Sequence, residues 1–456
     1  MIDNLMKTVL IPIFHGHIAR NILRTGVLPE LAKKVEIVLI VPDFKKELYQ
    51  KEFGGTNISI VSAPRIKFPG LERFFRSFYY YFVDTETVKI VQQEQFILNG
   101  SEFRYLWSRI WTNVFGHAKI LRQVIRWLDD LLVKDTLFIQ MFDQYKPDLV
   151  FIPSLTSDEE GLILRQAKAR LVPTVGMFRS WDTVTVNKGN LRVSPDKIIV
   201  HTEFLKSDVV EYTDYSKDKI EVVGMSHFDY YLTEKRISRE KFFDNIGGDR
   251  NKKTIYFMPI GLSDQTEDKH MLALLESWVH NDPAFLNTQL MVSSHPNATK
   301  PIDYASPETL LLKFSKTIDF PDGKLTDREI TKDDMELMAS AIYHSDVIVN
   351  YQGTTSIDAS AFDKPVVNIA FDSTKNKPYL QSVRRFYQFT HYQPILKSGG
   401  VRLAKSSEEL KNEIIEYLRN PARDTEGRRR MVREQTFKYD GKASERTAHA
   451  ILSLLK

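Results

Sequence analysis

Cysteine is absent from the chain of 456 residues, which excludes disulfides, thiolate metal sites and a cysteine nucleophile. No run of about eighteen consecutive apolar residues occurs, so no membrane-spanning helix is expected. The apolar run at 9–14 is too short for the core of a signal peptide. Together these absences predict a cytoplasmic protein.

A strong excess of one charge is also missing, since 63 Lys and Arg face 59 Asp and Glu, for a formal net charge of +4. This balance argues against a nucleic-acid partner. A hydrophobic content of 42% with 27% charged residues is typical of globular chains and excludes wholesale disorder. The length then predicts two domains of about 200 residues each.

Common cofactor and nucleotide motifs are missing as well: G-x-G-x-x-G, the P-loop, H-E-x-x-H and G-x-S-x-G. D-x-D, with which metal-dependent sugar transferases generally hold a divalent ion, does not occur either. We therefore expect no metal and no cofactor, with phosphate charge neutralised by helix dipoles and side chains.

Short, β-branched apolar runs alternate with helix-length stretches along the chain, which indicates buried parallel sheets in an α/β fold. The predicted strands are 8–13, 35–41, 148–153, 174–177, 197–201, 220–224, 254–259, 289–293, 347–351 and 365–370.

A polar stretch at 234–253 interrupts the strand series, and the domain junction is expected at about 235–252. The predicted organisation is an N-terminal acceptor-side Rossmann-like domain (1–235), a C-terminal nucleotide-binding Rossmann-like domain (236–440) and a terminal helix (441–456). Such a helix can pack on either domain, and in two-domain α/β enzymes it often crosses back to the first.

The segment 67–135 is unusually rich in aromatic and arginine residues and predicts a helical insertion in the first domain. Packing of this insertion on the domain is the favoured interpretation. The alternative is a basic, aromatic face that rests on an anionic membrane or holds a long acceptor, which would place the protein peripherally on the inner face of the membrane.

The clearest candidate site follows the predicted strand 347–351. Gly353 forms a turn, and three hydroxyl residues, Thr354, Thr355 and Ser356, open a helix. Free N–H groups, the helix dipole and these hydroxyls make an anion site, whereas helix capping alone requires only one hydroxyl. At the end of 289–293, Pro296 fixes His295, whose imidazolium could neutralise or protonate a phosphate. A histidine on a surface loop is the alternative.

These motifs, in this order, resemble the second domain of GT-B glycosyltransferases. The most similar group is that of bacterial capsule and teichoic-acid enzymes: polysialyltransferases, Kdo transferases and CDP-glycerol glycerophosphotransferases. Ser398 and Gly399 look like part of this group's donor-side loop. Two further motifs are similar to the family's interdomain connection and C-terminal close, and they include Gly224, Asp229, Asp440 and Arg446.

The resemblance implies two Rossmann-like domains facing across a cleft, with His295, Pro296 and the hydroxyl motif on the donor's phosphate. It implies a metal-independent glycosyltransferase that moves a sugar from a nucleotide donor to a carbohydrate or lipid-linked acceptor in surface polysaccharide or glycoconjugate synthesis. A CMP-sugar is the favoured donor, and a UDP-sugar is the second choice.

In the first domain, Asp158, Glu159 and Glu160 follow the strand 148–153 and open a helix. Glu159-Glu160-Gly161 is similar to an acidic motif that supplies the general base of polysialyltransferases. The alternative is a helix start enriched in acids by the helix dipole. All three carboxylates remain candidates for the base, with His17 as a further one.

The first strand ends in His15-Gly16-His17, where glycine would let substrate approach the backbone. His15, Arg20, Arg179 and Asp182 are expected to bind the acceptor, and Asp182 is also a reserve base.

Two other functions fit the same architecture. A nucleotide-sugar 2-epimerase should show a dense set of acidic and arginine residues near the N-terminal strand, where this sequence has His15, His17 and Arg20. A non-catalytic scaffold that binds carbohydrate or membrane should bind no nucleotide.

Overall fold

The computed structural model describes residues 6–64, 66, 68, 70–134, 136–186, 191–234, 236–261, 265–294, 302–314, 317–320, 327–374 and 376–455. The chain forms two compact units. Unit 1 comprises Met1–Leu232, Asp319–Glu329 and Thr436–Lys456, and unit 2 comprises Thr233–Ile318 and Ile330–Gln435.

The strands of unit 1 are β1 (Thr8–Pro12), β2 (Glu36–Val41), β3 (Ile58–Ser62), β4 (Leu149–Ile152), β5 (Thr174–Met177), β6 (Lys197–Val200) and β7 (Ile220–Val222). Those of unit 2 are β8 (Lys253–Met258), β9 (Thr288–Ser293), β10 (Leu310–Leu312), β11 (Val347–Asn350), β12 (Val366–Ile369) and β13 (Arg402–Ala404).

The helices of the first half are α1 (Gly16–Ile18), α2 (Val27–Ala32), α3 (Lys46–Phe53), α4 (Gly70–Tyr79), α5 (Glu86–Ile97), α6 (Glu102–His117), α7 (Lys119–Leu132), α8 (Ile139–Tyr145), α9 (Asp158–Ala169), α10 (Glu203–Thr213) and α11 (Asp229–Thr233). The second half contains α12 (Arg239–Ile246), α13 (Thr266–Asn281), α14 (Lys332–His344), α15 (Thr355–Ala361), α16 (Gln393–Ser398), α17 (Ser407–Arg419), α18 (Thr425–Thr436) and α19 (Ala443–Leu452). In the described part of the chain, no helix is both long and apolar enough to cross a membrane.

Both sheets are parallel throughout. Their strand orders are β3-β2-β1-β4-β5-β6-β7 and β10-β9-β8-β11-β12-β13. In each sheet the order reverses once, between β1 and β4 and between β8 and β11. This is the doubly wound pattern, in which ligands bind beyond the carboxyl ends of the strands at the reversal. The expected α/β class with two Rossmann-like domains is confirmed.

The sheet of unit 1 has an apolar core on each face, because successive side chains of a strand point to opposite sides. Val9 and Ile11 of β1 belong to one core, together with Ile451 of α19. Leu10 belongs to the other core, together with Ile163 of α9. Unit 1 is therefore complete only with the C-terminal helix in place.

Two motifs that are distant in sequence meet where α19 begins. The Asp229 carboxylate accepts hydrogen bonds from the backbone N–H groups of Ala443 (3.1 Å) and Ser444 (2.7 Å), and thereby caps the helix. Arg446 donates through Nε to the carbonyl oxygen of Val223 at 2.9 Å. The motifs around Asp229 and Arg446 therefore hold the end of the chain on unit 1.

The aromatic segment forms the helices α4 to α7, with a small core of its own that includes Phe75, Phe82 and Phe115. Arg122 of α7 connects this insertion to the sheet domain, because its guanidinium donates to both carboxylate oxygens of Asp214. The expected helical insertion is therefore present, and a buried charged contact anchors it.

Candidate functional site

The carboxyl edge of the unit 1 sheet carries the predicted histidine turn directly after β1. The rings of His15 and His17 are stacked, with centroids 5.6 Å apart and planes 8° from parallel. Burial, followed by the charges of Arg179, His15 and Arg20, lowers the pKa of His17 to about 3. His17 is therefore neutral at pH 7. Its Nε2 atom is buried and has no hydrogen-bond partner among the described residues.

Glu160 occupies the same edge, in the first turn of α9 after β4. Its side chain is fully buried, and neither carboxyl oxygen has a hydrogen-bond partner within the described ranges. Burial, together with the charge of Glu159, raises the pKa of Glu160 well above its usual value. The charge of Arg179 and the backbone of Ser154 offset only part of this effect. Burial thus favours the protonated form of Glu160.

The other two carboxylates of this helix start have partners. Asp158 Oδ2 lies 3.0 Å from Nη1 of Arg76, although burial still raises its pKa. Glu159 accepts a hydrogen bond from the hydroxyl of Ser157 at 2.8 Å. The structure thus separates three residues that the sequence left equivalent, and Glu160 alone lacks a partner among the described residues.

The predicted arginines belong to the same electrostatic environment. Arg179 follows β5, and its charge lowers the pKa of both His17 and Glu160. The charge of Arg20 lowers the pKa of His17 and of His227. Asp182 lies at the start of a short 3₁₀ turn, Thr183–Thr185, where its carbonyl oxygen accepts from the Thr185 hydroxyl at 3.0 Å.

Sequence reasoning missed two further histidines at this edge, His201 after β6 and His227 after β7. Burial lowers the pKa of His201 to about 4, and burial with the charges of Arg20 and His201 lowers the pKa of His227 well below its usual value. Their position directly after strands was the available signal, because the ends of adjacent parallel strands share one edge.

A segment distant in sequence completes this part of unit 1. Asp327 Oδ1 lies 3.5 Å from Nδ1 of His15. A Cβ atom on Gly16 would lie 1.9 Å from the carbonyl oxygen of Arg328. Gly16 therefore makes room for the protein's own backbone on the side where a Cβ atom would lie.

The side chain of Glu329, the next residue after Arg328, lies in a fully buried ionic cluster. Its carboxylate accepts from Nη1 of Arg24 (2.6 Å), from Nζ of Lys45 (2.8 Å) and from the hydroxyl of Tyr49 (2.5 Å). In the sequence, the region near the N-terminal strand lacks the dense set of acidic and arginine side chains expected of an epimerase. In the structure, residues 158–160, residues 327–329 and Arg179 supply such side chains.

In unit 2, the predicted hydroxyl motif lies at the reversal of the strand order, after β11. Thr354 precedes α15 and makes no side-chain capping hydrogen bond, so capping does not explain it. A Cβ atom on Gly353 would meet nothing within 4 Å, which shows open space above the turn. Among the described residues, no acceptor takes the N–H groups of Thr354 and Thr355. These donors are available to an anion.

Ser356 differs from its two neighbours because its hydroxyl is buried in a polar network. The side-chain amides of Asn350 (3.3 Å) and Asn368 (3.2 Å) donate to its Oγ atom, and the Tyr392 hydroxyl lies 3.1 Å away. Ser356 therefore holds the turn in shape instead of offering a free hydroxyl.

The predicted donor-side loop is the end of α16. The Ser398 hydroxyl donates to the carbonyl oxygen of Ile395 (2.6 Å) and accepts from the N–H of Gly400 (3.1 Å). Gly399 ends the helix in the left-handed region, with φ 74°. Its carbonyl oxygen would be 2.1 Å from a Cβ atom on Gly427. The Ser398 hydroxyl and the Gly399 backbone therefore both make contacts that maintain the structure of unit 2.

His295 and Pro296 lie outside the described residues. Elsewhere in unit 2, carboxylates fix two loops: Asp268 accepts from the N–H groups of Ile260 and Gly261, both at 2.9 Å, and Glu267 accepts from Nζ of Lys377 at 2.8 Å. Within the described ranges, no three His, Asp or Glu side chains gather in a way that could hold a metal ion.

Comparison with known proteins gives structural matches only, since no family model and no curated protein matches. MnaA of S. aureus, in a co-structure with UDP, matches with a TM-score of 0.54 and 15% identity over 99% of this chain and 98% of that chain. UDP-GlcNAc 2-epimerase from Neisseria meningitidis, bound to UDP-GlcNAc, matches with a TM-score of 0.55 and 14% identity over 98% and 100%. UDP-N-acetylglucosamine 2-epimerase from Rickettsia bellii matches at 0.53 and 12% over 99% and 97%.

At these identities the likeness establishes the fold, which is GT-B-like. The resemblance to capsule and teichoic-acid enzymes is supported only at the level of the fold. The expectation of a CMP-sugar-dependent glycosyltransferase is wrong, because the similar structures are mostly UDP-GlcNAc 2-epimerases. The comparisons favour the alternative of a nucleotide-sugar 2-epimerase.

Proposed function

We propose that the protein is an enzyme that binds a nucleotide sugar, with UDP as the favoured nucleotide, and inverts the configuration at C2 of the sugar. The GT-B-like fold supports this proposal, since it matches structures named as UDP-GlcNAc 2-epimerases over nearly their whole length. The side chains and N–H groups at the two points where the strand order reverses also support the proposal, and this support does not depend on the comparisons.

Unit 2 would hold the nucleotide phosphates. The N–H groups of Thr354 and Thr355 and the two threonine hydroxyls supply donors at the start of α15, in the place where doubly wound sheets bind phosphate. Ser356 would contribute indirectly, because its buried hydroxyl network fixes the turn.

Unit 1 would carry out the proton transfers. Inversion at C2 removes a proton from one face and returns a proton to the other, so it requires both a base and an acid. The electron pair of the broken C2–H bond would form a C1–C2 double bond while the C1–oxygen bond to the nucleotide diphosphate breaks. Return of a proton to the other face of C2 would reverse both changes. A neutral histidine and a protonated carboxyl group meet this requirement. The observation that carries the proposal is that His17 and Glu160 follow the adjacent strands β1 and β4 at one sheet edge, each with buried polar atoms that have no hydrogen-bond partner among the described residues. The directions of their pKa shifts, down for His17 and up for Glu160, agree with the two roles.

An anionic substrate would prepare His17 for its role as base. Burial is the largest cause that lowers the pKa of His17, and the charges of Arg179 and Arg20 lower it further. An anionic substrate near these two cations would offset their part of the shift and so increase the basicity of His17. The same cations provide charge-assisted hydrogen bonds to the substrate.

The decisive experiment is incubation with UDP-N-acetylglucosamine in D₂O, followed by NMR detection of deuterium at C2. An epimerase that uses solvent-exchangeable acid and base groups introduces deuterium at this carbon and at no other. We expect Glu160→Gln and His17→Gln to reduce the rate by about 10²–10⁴-fold while UDP binding persists.

Matched controls are Glu159→Gln, an adjacent acid with its own partner, and His117→Gln, an exposed histidine, which should both retain activity.

UDP at about 100 times its Kd should stabilise the protein by about 2.7 kcal/mol in a thermal-shift panel with CMP, CDP, GDP and dTDP. Binding of UDP without deuterium at C2 would refute the epimerase. Binding of no nucleotide would favour the scaffold.

A further inference from the structure

The outward face of the helices α6 and α7 is apolar, although it is in contact with solvent. On α6 the exposed side chains recur at helical spacing and are Phe103, Leu106, Trp107, Ile110 and Val114. On α7 they are Ile120, Leu121, Val124, Trp127, Leu131 and Leu132. The fractional exposures of Phe103, Ile120 and Trp127 are 76%, 78% and 62%. We call this surface the α6–α7 face.

The opposite side of the same two helices is buried and carries polar as well as apolar side chains. Arg122 and Asp129 of α7 are buried, and Arg122 pairs with Asp214 while Asp129 pairs with Arg165. Phe115 of α6 and Ile125 of α7 are buried in the small core of the insertion. The two helices therefore differ from ordinary surface helices because they carry apolar side chains on the solvent side as well as on the buried side.

A surface of eleven exposed apolar side chains on a folded protein indicates that a partner covers it. Its charges distinguish a lipid surface from a second copy of the chain. Arg104 and Lys119 are exposed on the two helices that carry the face, and Arg73 is exposed on α4, which contacts α7. None of these three cations forms an ion pair with any described residue. Of the acids nearby, Asp130 is paired with Arg165 at 3.0 Å, which leaves Glu102. In a twofold dimer these cations would face their own copies and repel.

We propose that the α6–α7 face docks on an anionic lipid bilayer, with Trp107 and Trp127 at the boundary between headgroups and acyl chains. Tryptophan prefers this boundary, apolar side chains beside it enter the acyl region, and arginine and lysine contact anionic headgroups. Because no helix in the described part of the chain could cross a bilayer, the contact is peripheral. This proposal does not depend on the proposed function.

The test measures co-sedimentation with vesicles of phosphatidylcholine alone and of phosphatidylcholine mixed with phosphatidylglycerol. We expect binding to the mixed vesicles, a blue shift of tryptophan fluorescence, and weaker binding when salt is raised from about 0.1 M to about 1 M. The double variant Leu106→Ser with Leu131→Ser should bind about tenfold more weakly or worse.

The matched control is Leu171→Ser with Leu286→Ser, since these leucines are 91% and 88% exposed and lie outside the face. A second pair separates charge from apolar contact: Arg73→Glu with Arg104→Glu should weaken binding, whereas Arg430→Glu with Arg433→Glu should not. Circular dichroism confirms that each variant is folded.

Three results would overturn the proposal. They are no binding to the mixed vesicles, binding that Leu106→Ser with Leu131→Ser leaves unchanged, and self-association in light scattering that this variant abolishes. The last result would assign the face to a second copy of the chain.

Discussion

Glu160 illustrates how the surroundings of a single residue decide its chemistry. Asp158, Glu159 and Glu160 are consecutive acids, yet Asp158 has Arg76 at 3.0 Å and Glu159 has the Ser157 hydroxyl at 2.8 Å. Glu160 points into the protein, where no described group hydrogen-bonds its oxygens. A buried carboxyl group without a partner avoids ionisation by keeping its proton.

A raised pKa predicts a pH-dependent stability. Above the unfolded pKa of Glu160, the unfolded chain releases the proton while the folded chain retains it. The contribution of Glu160 to the free energy of unfolding must therefore fall as pH rises from the unfolded pKa towards the folded one. We expect Glu160→Gln to remove this contribution, so that the gain in free energy of unfolding over the wild type grows with pH.

Urea unfolding between pH 4 and pH 8 checks this prediction as the difference between the wild type and Glu160→Gln, with Glu36→Gln, an exposed acid, as the control that should follow the wild type. A Glu160→Gln curve parallel to that of the wild type would contradict a raised pKa for Glu160.

Among the local elements, the turn after β1 shows why a glycine is required between two histidines. A Cβ atom at Gly16 would be 1.9 Å from the Arg328 carbonyl oxygen and 3.2 Å from Oε1 of Glu329. Neither the backbone nor the buried carboxylate can yield, because Glu329 is held by Arg24, Lys45 and Tyr49.

Two glycine-to-alanine substitutions should therefore act in opposite directions. Gly16→Ala should lower the free energy of unfolding by about 1–3 kcal/mol, the cost of overpacking. Gly161→Ala, within α9 and with open space at its Cβ position, should raise it by up to about 1 kcal/mol through helix propensity. Denaturant titration of both variants checks the signs, and a neutral Gly16→Ala would mean that 327–329 moves aside freely.

Strands were predictable where they are buried on both faces. Each predicted strand overlaps a strand of the structure, and β3, β10 and β13 were missed. All three lie at an edge of their sheet. An edge strand has one neighbour, so it is short or partly exposed, as β3 is, and it lacks the continuous apolar run that identifies central strands.

On the scale of the whole chain, unit 1 is assembled from three separate segments. The apolar core beside β1 includes Ala448 and Ile451 of α19, and the ionic cluster of Arg24 and Lys45 includes Glu329. An N-terminal piece alone would expose apolar surface and leave the buried Lys45 without the carboxylate of Glu329, which is a costly arrangement.

Removal of residues 436–456 should therefore disrupt unit 1 selectively. We expect the shortened chain to lose protection of the backbone amides of β1 in hydrogen exchange, while β8 and β11 of unit 2 remain protected. Removal of 453–456 alone, which leaves α19 intact, is the control and should have a small effect. Protection of β1 equal to that of the full chain would contradict this role for α19.

The sequence by itself determined the fold class, the central strands, the helical insertion and the hydroxyl-rich turn at Gly353, because these depend on local periodicity and on residue types close together in the chain. Only the tertiary structure decided which of Asp158, Glu159 and Glu160 keeps its proton, that Ser356 is buried, and that Asp327 and Glu329 reach the turn after β1. It also decided that Phe103 and Trp127 face outward while Arg122 and Asp129 face inward. Burial and charge pairing arise from segments far apart in sequence, and no local pattern encodes those distances.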